Sequence, residues 1–208
     1  MRKWLFGAVA GGFLLMGGAA SRADVIFQVT QIGPTMQTPF GGGPPFPNPI
    51  IGDASFVVRD DTFAAGMNFH QANGAFGQPF SELDGLIGVH VGLSNLREAI
   101  SASLDDFTAE IPYSSSAFSR IELTSAPGGL PIGTILYSSA LYMTVQFTFD
   151  GSHTVSGMAM GDGSCNSGCR FTGALTVAVP EPASVLIFGI ALIGLAAGLR
   201  RRSICPGG

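Results

Sequence analysis

Lysine and tryptophan are missing from the long middle of this chain. The single lysine is Lys3 and the single tryptophan is Trp4. Residues 24–178 therefore hold four cations, Arg59, Arg97, Arg120 and Arg170, against 13 carboxylates, a formal charge of −9. An acidic, lysine-free surface excludes nucleic acid and anionic lipid as partners. Without tryptophan the usual platform for stacking sugar rings is absent, and only Tyr113, Tyr137, Tyr142 and the phenylalanines remain. Charge is scarce overall, at 12% against 46% hydrophobic residues, which is too apolar for a disordered chain. Thirty glycines and 13 prolines follow no triplet period, so collagen is excluded.

Site chemistry is equally sparse. His70, His90 and His153 are far apart, and no His-x-His or His-Glu-x-x-His spacing occurs, so no metal site is expected. Asp60-Asp61 and Asp105-Asp106 are paired carboxylates, and Asp150 and Asp162 each precede a glycine. Calcium takes such loop oxygens, but no EF-hand or repeat spacing is present and the groups read as turn and surface residues. Thirteen carboxylates make any choice of a glycosidase pair arbitrary. There is no Gly-x-Ser-x-Gly elbow. No catalytic residue is assigned, and no cofactor is expected.

The informative features lie at the two ends. Arg2 and Lys3 precede an uncharged apolar run, Trp4 to Met16, and the small residues Gly17, Gly18, Ala19 and Ala20 follow. The run is shorter than the ~20 residues that cross a bilayer. Ser21-Arg22-Ala23 fits a small-x-small cleavage site, with Gly18-Ala19-Ala20 as a competitor. Residues 1–23 therefore read as a signal peptide for the Sec export machinery, with the mature chain starting at Asp24. At the other end, Val179-Pro180-Glu181-Pro182 precedes the apolar run Ala183 to Leu199, and Arg200, Arg201 and Arg202 follow at once. Residues 183–199 predict one transmembrane helix of about 25 Å. The arginines stop transfer and stay cytoplasmic, which puts 24–178 outside.

These three parts, in this order, resemble the PEP-CTERM sorting signal of Gram-negative bacteria that make exopolysaccharide; the resemblance covers Val179 to Arg202. It implies recognition by an exosortase, an integral-membrane enzyme similar to cysteine transpeptidases, acting near the Pro-Glu-Pro. The implied course is an inner-membrane anchor until processing, then a place at the cell surface or in the extracellular matrix.

Of the three cysteines, Cys205 lies beyond the arginines, while Cys165 and Cys169 share the exported part. An oxidising compartment and four-residue spacing predict a small disulfide loop. Strand signals recur along 24–178. Val25 to Gln31 and Ala54 to Arg59 are rich in β-formers, and Leu141 to Phe149 alternates apolar and polar residues up to the turn Asp150-Gly151. Gly33 to Gly52 holds 11 glycines or prolines in 20 residues and reads as a surface loop. Ser94 to Leu104 fits a helix capped by Ser94, or a strand almost as well. The pattern predicts one all-β domain over 24–178, an antiparallel jelly-roll-like β-sandwich, followed by the sorting segment 179–208.

The expected function is a non-enzymatic envelope or exopolysaccharide-matrix protein, with the exosortase and exopolysaccharide as partners. The alternatives are a carbohydrate- or ice-binding module and, third, a secreted hydrolase. For ice, Thr144, Thr148 and Thr154 are few and irregular; for sugar, tryptophan is lacking.

Overall fold

Val25, Phe27 and Val29 are buried while Ile26, Gln28 and Thr30 face outward, the period of two that a half-buried strand requires. The same alternation builds the rest of the fold. The computed structural model describes residues 23–73, 80–94, 99–109, 118–139, 143–161 and 165–179. Among them run β1 (Val25–Gln37), β2 (Phe46–Asn48), β3 (Ile51–Val58), α1 (Asp60–Ala65), β4 (Asn68–Asn73), β5 (Phe80–Glu82), β6 (Leu86–Ser94) and β7 (Ile100–Ser103). Then come α2 (Leu104–Thr108), β8 (Phe118–Thr124), β9 (Ile132–Ser138), β10 (Thr144–Asp150), β11 (Thr154–Gly161) and β12 (Cys165–Ala178).

Every pairing is antiparallel, and one sheet takes in all the strands in the order β5-β4-β8-β9-β10-β11-β12-β1-β3-β6-β7, with β2 beside β1. The expected antiparallel all-β character is present. The expected jelly roll is corrected, because β8 to β12 form a plain meander and a continuous hydrogen-bonded path replaces two separate sheets. The sheet curls until its halves face each other. Phe56 on β3 meets Phe149 on β10 edge to face, with ring centroids 5.7 Å apart, and stacks on Phe27 of β1 at 4.6 Å. Three connections carry the chain between the halves: α1 from β3 to β4, the turn at Gly85 from β5 to β6, and α2 from β7 to β8.

α2 closes the curl on one side. Its Phe107 is fully buried against Tyr137, and the Phe107 carbonyl accepts hydrogen bonds from Gln71 Nε2 on β4 at 2.8 Å and Ser119 Oγ on β8 at 3.3 Å. The aromatic residues thus fill the interior: Phe27, Phe56, Phe69, Phe107 and Phe147 are all buried. They hold the two halves together, while Phe40, Phe46 and Phe118 remain exposed among the described residues.

Two local expectations are corrected. The glycine- and proline-rich stretch is not simply a loop. β1 continues through a bulge between Ile32 and Met36, and β2 pairs with Thr35–Gln37. Gln31 organises this turn of chain, donating to Gly33 O and Thr35 Oγ1 and accepting from Gly52 N at 2.8 Å. Thr35 is buried and donates to Ile50 O at 2.6 Å. The helical reading of Ser94 to Leu104 also fails. Ser94 ends β6, Ile100 and Ala102 alternate with Ser101 and Ser103 as a strand, and the helix starts only at Leu104. Its N-terminus is held by Asp106, whose Oδ2 accepts from Ser103 N at 2.7 Å and Ser103 Oγ at 2.9 Å. Leu96 lies outside the described residues.

Residues 1–22 of the expected signal peptide, the run 183–199 and Arg200–Arg202 also lie outside the described residues. Among the described residues no helix is long and apolar enough to cross a membrane. Asp24–Val179 packs as one compact unit.

Candidate functional site: the end of β12 and the outer sheet face

β12 is the strand from which the sorting segment departs, and its two ends are built differently. At its start Cys165 and Cys169 are both buried and bonded to each other, with Cα atoms 5.4 Å apart. The bond spans a bulge. Cys169 faces Ala159 and Cys165 faces Gly161, so four residue steps on β12 answer two on β11. Gly168, at φ +89°, supplies the left-handed backbone that the excess chain requires. A loop this short constrains little chain entropy, and replacing both cysteines by alanine is expected to cost about 2 kcal/mol. Peptide mapping without reduction should find Cys165 joined to Cys169; a free thiol at either position would defeat this.

At its other end β12 runs alongside the start of β1. Ala178 faces Ile26, Val177 faces Phe27 and Thr176 faces Gln28. Val179 follows at once, 54% exposed. The start of the domain and its exit toward the sorting segment therefore lie side by side at one end of the β1–β12 ladder. Pro180, Glu181 and Pro182 lie outside the described residues.

The histidines, and several of the carboxylates, are distributed over separate strands and turns with local partners. His90 Nε2 lies 2.9 Å from Asp53 Oδ2 across β6 and β3. His70 Nδ1 is 3.8 Å from Glu122 Oε1 across β4 and β8. The ring of His153 hydrogen-bonds Leu175 O through Nδ1 at 3.0 Å. Asp61 Oδ1 accepts from Thr62 N at the start of α1. Asp150 Oδ1 accepts from Ser152 N at 2.9 Å, and hydrogen bonding to Ser152 holds its carboxyl below the usual range. Burial, with the Asp106 carboxylate second, pushes the Tyr137 phenol above its ordinary value. Among the described residues no group of three His, Cys, Asp or Glu is placed to hold a metal ion. Asp162 is outside the described residues.

Sheet register assembles one feature that the sequence does not display. Thr134 on β9, Thr148 on β10, Ser156 on β11 and Thr172 on β12 are direct neighbours across four adjacent strands. All four stand on the outer face. At about 4.8 Å per strand the row is about 14 Å long. Glu122 and then His70 continue it toward the sheet edge. A second row, Arg120, Leu136, Gln146, Met158 and Arg170, runs beside it. Gln146 Nε2 donates to Thr148 Oγ1 at 3.1 Å. The hydroxyls can exchange hydrogen bonds with a polyol. Of the threonines singled out from the sequence, only Thr148 belongs to the row. Thr144 Oγ1 donates to Ser138 Oγ, and Thr154 faces Ala174.

A family model described as the PEP-CTERM protein-sorting motif matches residues 178–202. No curated protein and no solved structure matches the chain. The motif supports an exported protein sorted by an exosortase, bound for the cell envelope of a Gram-negative bacterium. Ala178 is both the last residue of β12 and the first of the matched segment: the chain carries a PEP-CTERM protein-sorting motif that begins where its last described strand ends.

Proposed function

We propose that this chain is a non-enzymatic protein of the envelope or exopolysaccharide matrix, exported through the Sec machinery and released from the inner membrane by an exosortase. The observation that carries the reading is the sorting motif joined directly to β12. The domain supports it: an acidic body, a buried aromatic core and an outer face of hydroxyls suit contact with neutral polysaccharide. A second reading, a carbohydrate-binding module, is favoured by the row Thr134, Thr148, Ser156 and Thr172.

Cell fractionation tests the proposal. In exosortase-containing cells the domain should be recovered from the envelope or matrix; with the exosortase gene deleted it should stay full-length in the inner membrane. An unchanged distribution after the deletion would sink the proposal. The same fractions separate the two readings. Loss of matrix retention in a Thr148→Val/Ser156→Val variant favours the binding module, and unchanged retention favours the matrix protein.

A further inference from the structure

Pairing in β12 runs up to Ala178, and only Val179 separates that residue from Pro180. Processing enzymes bind the chain around the bond they cut as an extended strand several residues long. A cleft centred near Pro180–Pro182 and reaching four or five residues upstream takes in Thr176, Val177 and Ala178. In the folded domain these residues are occupied. Leu175 N donates to His153 O, the last bond from β12 toward β11. Backbone groups alternate sides along a strand, so those of Thr176 and Ala178 point to β1 and those of Val177 point away from it, where no described strand pairs with them. Thr176 Oγ1 adds a bond to Gln28 O at 3.3 Å. Among the described residues the backbone at the tip of β12 is thus paired on one side only, with β1, and Val177 adds a partly buried contact with the core, which makes this the less firmly held end of the strand. From Val179 to Pro182 the chain reaches at most about 14 Å, so no spare linker offers itself instead.

We infer that the exosortase acts on a frayed β12, and that the pairing of residues 176–178 with Ile26–Gln28 sets the rate of sorting. This rests on the proposed sorting by an exosortase. Cleavage breaks one peptide bond near Pro180–Pro182. The nitrogen side takes up a proton and leaves with the hydrophobic segment, and the acyl side passes to water or to an acceptor amine. Fraying makes the bond reachable, and β1 recloses on the strand afterwards, which leaves the new C-terminus beside the N-terminus.

Pulse-chase conversion of the full-length chain, in cells that contain an exosortase, tests the inference. Thr176→Pro removes a ladder donor and should raise the rate about tenfold, the effect of about 1.4 kcal/mol less pairing. A spacer of eight Gly and Ser residues between Ala178 and Val179 leaves the domain intact and should speed processing at least as much. Combining the two should add nothing. A spacer variant processed at the parent's rate overturns the inference, and so does a fast spacer with an unchanged Thr176→Pro, which would mean that room and not fraying is limiting. A parent chain that is never processed defeats the sorting reading itself, and the inference with it.

Discussion

With Pro180, Glu181 and Pro182 all replaced by alanine, the full-length chain is expected to accumulate in the inner membrane and the processed form to disappear. In the proposed course of export, the apolar run 183–199 and the arginines behind it would hold the chain across the bilayer whatever precedes them. Proline at 180 and 182 fixes φ and removes two backbone donors, residue properties that disfavour both a longer β12 and a helix growing back into it. Three alanines reverse each of these restraints, because alanine is the best helix former and carries its own N–H. The variant domain should keep its β-rich circular dichroism and the Cys165–Cys169 bond, since no replaced residue belongs to β12. Normal processing of this variant would reduce the segment to a membrane anchor.

The second large effect concerns Gly133. Replacement by alanine is expected to cost about 4 kcal/mol, a large share of the 5–15 kcal/mol typical of a whole domain. Two penalties add. Its φ of +136° is one that side chains with a Cβ rarely adopt, at about 1–3 kcal/mol. A Cβ there would also fall 1.9 Å from the carbonyl oxygen of Glu122 on the neighbouring strand, and overpacking typically costs about 1–3 kcal/mol. The obstacle is backbone in the middle of the β8–β9–β10 meander, so no side chain can turn aside. For a domain of this size the melting temperature should fall by roughly 8–16 °C. Gly88→Ala is the control: its Cβ would meet nothing closer than Val57 at 3.8 Å, and its effect should stay within about 0.5 kcal/mol. Equal melting temperatures for the two variants would contradict the strand spacing described here.

What could be read beforehand divides along physical lines. β10 was legible because Met143, Val145, Phe147 and Phe149 alternate with Thr144, Gln146 and Thr148, and all four of the former are buried. The Cys165–Cys169 bond followed from spacing and compartment. β6 is masked in the sequence although Val89, Val91 and Leu93 alternate with His90 and Gly92, because Gly88 and Gly92 dilute the β-forming signal. The bulge and β2 were hidden for a different reason. They depend on Gln31 reaching Gly52 and on Asn48 donating to Gln37 Oε1, bonds between residues 21 and 11 positions apart that composition does not reveal. The helical spacing of Leu96, Ala99, Ile100 and Leu104 misled, since sheet pairing with β6 fixed Ile100–Ser103 as a strand. The row of hydroxyls needs the register of four strands, and local sequence does not carry register. The sorting motif was legible entire, while the pairing of its first residue, Ala178, with Ile26 was not.

The intact mass of the protein purified from exosortase-containing cells tests the central claim most directly. A chain beginning at Asp24, ending near Pro182, lacking Ala183 to Gly208 and carrying one disulfide is the predicted result. A mature chain that still contains its C-terminal hydrophobic run and arginines in those cells would contradict it.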